Sequence, residues 1–449
     1  MYWRVLRTGA AARPFALSVL ARLPISMAPL GMLLLVQQVH GSYALAGTVT
    51  GAFALGTAVG SPVWARVMDR AGQPLVIALT TALSGALLTA LALSAVSGAA
   101  VAALVALAAL AGAAFPPMSP AMRGAWKVVL PPGRVRQAGF ALDAVAVETI
   151  FVGGPLLLSL LLAARVPVLP LLVTVGLLVA GGAGYSLTSA ARGAGHRPTD
   201  AGSPTEAGHR PTDAAHRHPS PGASVLRSRG VLGVLAVAAA MAVAFGHIDT
   251  AMAATARERL GDPAALGLLF TAIAGGSATG GLMYGARHWG WLPGRQLPVL
   301  LGAFALALTG LPLLLSADHL RLAALLPLLF LAGLPIAPSL IVQQNLVDDQ
   351  SHPTRSGEAQ AWLSSATTTG AAAGTAVCGV LLDAVGLPWA FAAAALAAGC
   401  SALLAVTTLR HPARSGGRSA VPAPHDARTT ASAPKDGGRR QCESGRPSP

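Results

Sequence analysis

Long apolar runs separated by short polar turns dominate the chain. Runs near 14–37, 44–65, 75–97, 99–121, 138–163 and 167–190 are followed, after a polar gap, by six more near 230–253, 264–286, 297–316, 321–343, 358–381 and 387–409. Each is close to the roughly 20 residues that a helix needs to cross the bilayer's hydrocarbon core. The pattern predicts an all-α polytopic membrane protein with twelve transmembrane helices and both termini on one side. The first run follows Arg4, Arg7 and Arg13, is too long for a signal-peptide core and lacks a small-residue cleavage site, so it is expected to remain as helix 1.

The gap divides the chain into an N-terminal six-helix bundle at 1–190 and a C-terminal one at 229–410. Residues 191–228 are rich in Arg, His, Pro, Thr and Gly and contain the heptapeptide GHRPTDA twice, beginning at Gly195 and Gly208. They read as a disordered cytoplasmic linker, a solvated spacer and not a metal site, although His216 and His218 stand close together. Residues 411–449 resemble the linker in composition and read as a disordered cytoplasmic tail.

Composition agrees with lipid as the main solvent. Hydrophobic residues make up 53% of the chain and charged residues 11%, with a mean hydropathy of +0.61, whereas a soluble domain carries roughly 25% charged residues. The formal net charge of +14 would suggest nucleic acid if it were clustered on one soluble face, but its distribution is topological. Arg66, Arg70, Arg123, Lys127, Arg134, Arg136, Arg192, Arg227, Arg229, Arg287 and Arg295 fall on the side of the N-terminus, against Arg165, Arg257, Arg259 and Arg321 opposite. Cytoplasmic loops accumulate Lys and Arg, so both termini are expected in the cytoplasm, the cell (inner) membrane is the expected location, and no nucleic-acid partner is implied. Trp64, Trp126, Trp289, Trp291, Trp362 and Trp389 lie at predicted helix ends, as an interfacial aromatic belt would. Cys378 and Cys400 sit in apolar runs and Cys442 in the tail, without metal-ligand spacing; no disulfide, metal or cofactor is expected.

The two halves repeat one another at a shift of about 220 residues. Gly56-Thr-Ala-Val-Gly-Ser-Pro-Val-Trp-Ala65 matches Gly276-Ser-Ala-Thr-Gly-Gly-Leu-Met-Tyr-Gly285, Ala111-Gly112 before Pro117 matches Ala332-Gly333 before Pro338, and Arg134 with Gln137-Ala138 matches Arg355 with Glu358-Ala359. Three collinear matches argue for a six-helix unit duplicated in parallel orientation, as in one large class of transporters. Pro116, Pro117 and Pro120 in helix 4, and Pro335 and Pro338 in helix 10, should bend or break those helices.

The loop between helices 2 and 3 reads Ala65-Arg66-Val67-Met68-Asp69-Arg70-Ala71-Gly72-Gln73. It resembles the loop signature of the major facilitator superfamily, Gly-x-x-x-Asp-Arg-x-Gly-Arg/Lys. Asp69, Arg70 and Gly72 match, while Ala65 and Gln73 depart from the pattern. The resemblance implies two parallel six-helix bundles, a secondary transporter and an interhelical charge network in which Asp69, Arg70 and Arg123 control conformation, the carboxylate facing a helix N-terminus when that end of the protein closes. For Arg123 an ordinary topogenic charge is the other reading.

Ionisable groups at membrane depth are costly and usually mark function. Arg22 in helix 1, Asp143 and Glu148 in helix 5, and Asp249 beside His247 in helix 7 are embedded in apolar stretches. At 1.5 Å per residue, Arg22 and Asp143 lie at similar depth, so they are expected to neutralise each other, either as a static clamp or as a moving gate. Glu148, nearer the midplane, is left without a partner and is the expected proton carrier. Asp249 and His247 lie toward the outer end and are either a proton-access site or a pair wetted by the outer face. Gln343, Gln344 and Asn345 in helix 10 are read as a polar helix end, with substrate contact as the alternative.

No Gly-x-x-x-x-Gly-Lys-Ser/Thr phosphate loop occurs in the chain, which argues against a primary pump, and Asp348-Asp349 alone falls short of the paired aspartate-rich motifs of prenyl-transferring membrane enzymes. No catalytic residues are expected. The functional expectation is a secondary active transporter; the resemblance, which runs to bacterial proton-coupled exporters, implies an efflux antiporter exchanging protons for a small amphipathic drug or metabolite. An importer, a uniporter or a non-transporting sensor with the same fold is the alternative.

Overall fold

The computed structural model describes residues 9–131, 133–194, 228–287, 290–316, 322–351 and 356–409. The expected linker and tail lie almost wholly outside them. Among the described residues twelve helices are long and apolar enough to span a membrane: Ala11–His40, Tyr43–Met68, Gln73–Val96, Val101–Val129, Ala138–Leu162 and Leu169–Ser186, then Arg229–Arg259, Pro263–Ala286, Pro293–Leu315, Leu322–Gln350, Glu358–Val385 and Leu387–Leu409. They are called spans 1 to 12. Leu160, Leu282, Leu306, Leu313 and Leu396 are among the large apolar side chains left exposed for lipid to cover. The chain stays packed just past span 6, where Ala190 and Ala191 of the short helix Ser189–Ala194 are buried.

Spans 4 and 10 run further than the apolar runs because each contains a break. Span 4 is Val101–Ala113 followed by Met118–Val129, interrupted at Pro116 and Pro117; span 10 is Leu322–Gly333 followed by Ile336–Gln350, interrupted at Pro335. Proline removes a donor and clashes with the preceding turn, and carbonyls freed at membrane depth must find other donors. The Trp64 indole N–H donates to the Ala113 carbonyl at 2.7 Å and the Ser84 hydroxyl to the Ala111 carbonyl at 2.9 Å. Span 1 also breaks, at Leu23 before Pro24.

The internal repeat is a packing repeat. A Cβ on Gly56 or Gly60 of span 2 would collide with the Ala109 or Ala113 carbonyl of span 4; one on Gly276 or Gly280 of span 8 would collide with the Phe330 or Leu334 carbonyl of span 10. In lipid, helices associate through such close backbone contact, and the same glycines perform it in both halves.

The core divides unevenly along the molecule. Twelve crossings bring the first and last described residues to the same end, here the near end; the opposite end is the far end. At the near end each half closes its own cluster, one around Met68, Met122, Trp126 and Tyr185, the other around Val234, Met241, Leu297 and Val342. Toward the far end a single cluster draws on both halves, from Met27–Val36 and Phe53 through Ile248, Leu269 and Phe304 to Phe391. Trp126 corrects the aromatic-belt expectation: it is fully buried, tilted against Phe15 with ring centroids 5.5 Å apart. Its large ring is accommodated beside Gly139, which has no side chain to compete for that space.

Candidate functional site

Span 1 changes helix at Leu23, just after Arg22, and the break leaves the Arg22 side chain inside the first half. Its Nε donates to the Ser18 carbonyl at 3.2 Å and its Nη2 to the Ser18 hydroxyl at 3.1 Å and to Asp143 Oδ1 at 2.8 Å. Both partners are buried, at 4% and 8% side-chain exposure. Spans 1 and 5 are joined again further out, where the Ser26 hydroxyl donates to the Ile150 carbonyl at 3.0 Å. Removing one member of such a pair leaves an uncompensated buried charge, at a cost of about 3–5 kcal/mol.

Polar contacts continue beside this pair. The Tyr185 hydroxyl, within electrostatic range of Arg22 and Asp143, donates to Gln73 Oε1 at 3.1 Å, and Gln73 Nε2 donates to the Ala121 carbonyl at 3.2 Å. Gln73, which departs from the loop signature, is buried at the start of span 3. In the second half the Tyr284 hydroxyl bonds Gln296 Oε1 in the same way. The charge has no such counterpart: at the shift that aligns Gly56 with Gly276, Arg22 corresponds to buried, apolar Ala242, and at the shift that aligns Arg134 with Arg355, Asp143 corresponds to Ser364, which is exposed. Gln343, expected at a polar helix end, is buried with Nε2 2.9 Å from Met241 Sδ, while Gln344 and Asn345 are exposed.

Glu148 lies on span 5 between Asp143 and Ile150; its side chain falls outside the described residues. Asp249 is partly buried on span 7 and makes no hydrogen bond or ion pair among the described residues. Its neighbour His247 is buried, with Nδ1 2.8 Å from the Val243 carbonyl. A carbonyl only accepts, so the proton sits on Nδ1 and the buried Nε2 is left without a partner. Among the described residues no group of three or more His, Cys, Asp or Glu is placed to hold a metal ion.

Of the loop signature, Gly72 ends the helix of span 2 at φ +86°, a conformation that favours glycine. Arg70 and Arg123 are exposed at the near end, where the halves have separate cores, and the Asp69 side chain lies outside the described residues.

The far end holds a contact that sequence reasoning missed. Span 2 begins at Tyr43 with Ser42 as its N-cap, the Ser42 hydroxyl accepting the Leu45 N–H at 3.2 Å. Asp383, near the end of span 11, accepts the Tyr43 N–H at 2.9 Å, the Ala44 N–H at 2.9 Å and the Ser42 hydroxyl at 2.5 Å. Below it the two helix backbones meet. A Cβ on Gly379 would strike the Tyr43 carbonyl, and one on Gly47 would lie 2.7 Å from the Thr375 carbonyl. Spans 5 and 8 make the second seam, where the Ser159 hydroxyl donates to the Ala264 carbonyl and packs against Gly267.

Comparison with known proteins places this arrangement. The profile described as Major Facilitator Superfamily matches residues 15–353. Among solved structures, the fold is similar to that of the nucleoside transporter NupG, at TM-score 0.65 and 11% identity over 88% of this chain and 98% of that one. It is similar also to a bacterial homolog of the human lysosomal transporter Spinster in an inward-facing and occupied conformation, at TM-score 0.63 and 14% identity over 88% and 97%. A peptide transporter, POT, in complex with sulfate gives TM-score 0.65 and 13% identity over 88% and 93%. No curated protein matches in sequence.

Proposed function

The chain belongs to the major facilitator superfamily, and from that premise we propose that it exports a small amphipathic drug or metabolite in exchange for protons, by alternating access across the cell (inner) membrane. The observation that carries this reading is the inequality of the two ends: one core shared by both halves at the far end, two separate cores at the near end. A carrier exposes its central site to one side at a time, and a molecule sealed at one end only corresponds to one of its two end states. Exposed Arg66, Arg70, Arg123 and Lys127 gather at the near end, which on the positive-inside rule faces the cytoplasm together with both termini.

In this reading Glu148 and Asp249 carry the proton. The Arg22–Asp143 pair keeps a charged contact neutral inside the first half while the bundles move, and Asp69, Arg70, Gly72 and Arg123 secure the near end when it closes. The test is proton flux in proteoliposomes of wild-type, Glu148→Gln and Asp249→Asn protein, challenged with a panel of hydrophobic drugs and sugars. Substrate-evoked proton movement that one of the two variants abolishes is the expected result. Solute flux with no proton movement would overturn the coupling and leave a uniporter. No response to any panel member would overturn the proposed amphipathic substrate class.

A further inference from the structure

Asp383 is the last charged residue of span 11, and it caps a helix that belongs to the other half of the molecule. Its carboxylate accepts the first N–H groups of span 2, from Tyr43 and Ala44, and the Ser42 hydroxyl. A helix N-terminus offers unpaired N–H donors and the positive end of the helix dipole, and hydrogen bonds to a carboxylate there are charge-assisted. Span 2 does not need this carboxylate to begin its helix, because Ser42 already accepts the Leu45 N–H. Gly379, one turn before Asp383 and on the same helix face, lets the span 11 backbone lie against the Tyr43 carbonyl, and that approach brings Asp383 within reach.

We propose that Asp383 is the latch of the far end, a positioning residue whose cap on span 2 holds the far end shut and is released each time that end opens. The proposal rests on the alternating-access reading. The contact crosses a seam that must part in the other state, its donors can be taken over by water, and its loss leaves the Ser42 cap in place. A removable contact of that kind sets the balance between two states and not the stability of either half.

The test needs no substrate. Spin labels at Val39→Cys and Val385→Cys report the far end, and labels at Val128→Cys and Glu358→Cys the near end. All four positions are exposed, and the background carries Cys378→Ala, Cys400→Ser and Cys442→Ser. Distances are measured by pulsed electron resonance in lipid nanodiscs, with and without Asp383→Ala or Asp383→Asn. The expected result for Asp383→Ala is a roughly tenfold rise in the ratio of far-open to far-closed molecules, seen as longer far-end and shorter near-end distances, equivalent to about 1.4 kcal/mol. Asp383→Asn, which keeps an acceptor but loses the charge, should shift the ratio less. Unchanged distributions, or broadening at both ends without opposed shifts, would overturn the latch, the second outcome marking Asp383 as a structural clamp. Opposed shifts in a protein that moves no solute would uphold the latch and reject the transporter reading.

Discussion

At the far end Gly47 and Gly379 bring two helix backbones into contact across the halves, and Asp383 adds a charged cap. At the near end Trp126 and Val342 each fill a core of their own half, and Arg70 and Arg123 are exposed. Along spans 2 and 11 the far seam brings small residues and backbone into contact, beside the apolar core that both halves share, whereas the large side chains of the near-end clusters stay within one half. A surface that must part and re-form is better served by complementary backbones than by knobs that would be left stranded in lipid or water. The near end carries exposed charges, Arg66, Arg70, Arg123 and Lys127 among them.

Substitutions can break this contrast to different degrees. The largest effect is expected at the Arg22–Asp143 pair, which belongs to one half alone. Arg22→Ala or Asp143→Ala should lower thermal stability in detergent by the equivalent of about 3–5 kcal/mol, while the double variant Arg22→Leu with Asp143→Leu should recover most of the loss. If the double variant were as unstable as the singles, the pair would be more than mutual neutralisation.

Next comes Gly379→Leu, which places a side chain against the Tyr43 carbonyl. Overpacking of this kind costs about 1–3 kcal/mol, here only in the far-closed state, so far-end distances should lengthen while the melting temperature changes little. A lower melting temperature with unchanged distances would mean that the seam does not part. Ser42→Ala removes the N-cap of span 2, which both states use, and should lower thermal stability by about 1 kcal/mol; loss of the Ser42 hydroxyl's bond to Asp383 should add only a small shift toward the far-open state. Arg123→Ala is expected to leave stability within about 0.5 kcal/mol, because the side chain is exposed and makes no described contact in this state; a marked loss would place it in the first half's own packing.

Much of this architecture is legible in the chain itself. Spans declare themselves by length and apolarity, and the half-repeat by glycines whose spacing is dictated by helix contact, as Gly56 and Gly276 show. Arg22 and Asp143 were legible as a pair because few charges share their depth. Trp126 was not, because a tryptophan at a helix end satisfies an interfacial and a buried role equally well until its neighbours are known, and the space beside Gly139 is a tertiary fact. Asp383 was silent for the same reason: a carboxylate two residues from a helix end is ordinary, and what makes it specific is a helix that begins some 340 residues earlier in the chain.

The central claim is that the seam is closed at the far end and open at the near end. Ala58 lies seven residues past Gly51, toward the near end on the span 2 face that meets span 11, and is partly exposed. In the cysteine-depleted background, Ala58→Cys should react with a membrane-impermeant thiol reagent applied to inside-out vesicles and be protected in intact cells. Equal labelling from both sides, or labelling from outside alone, would contradict the account.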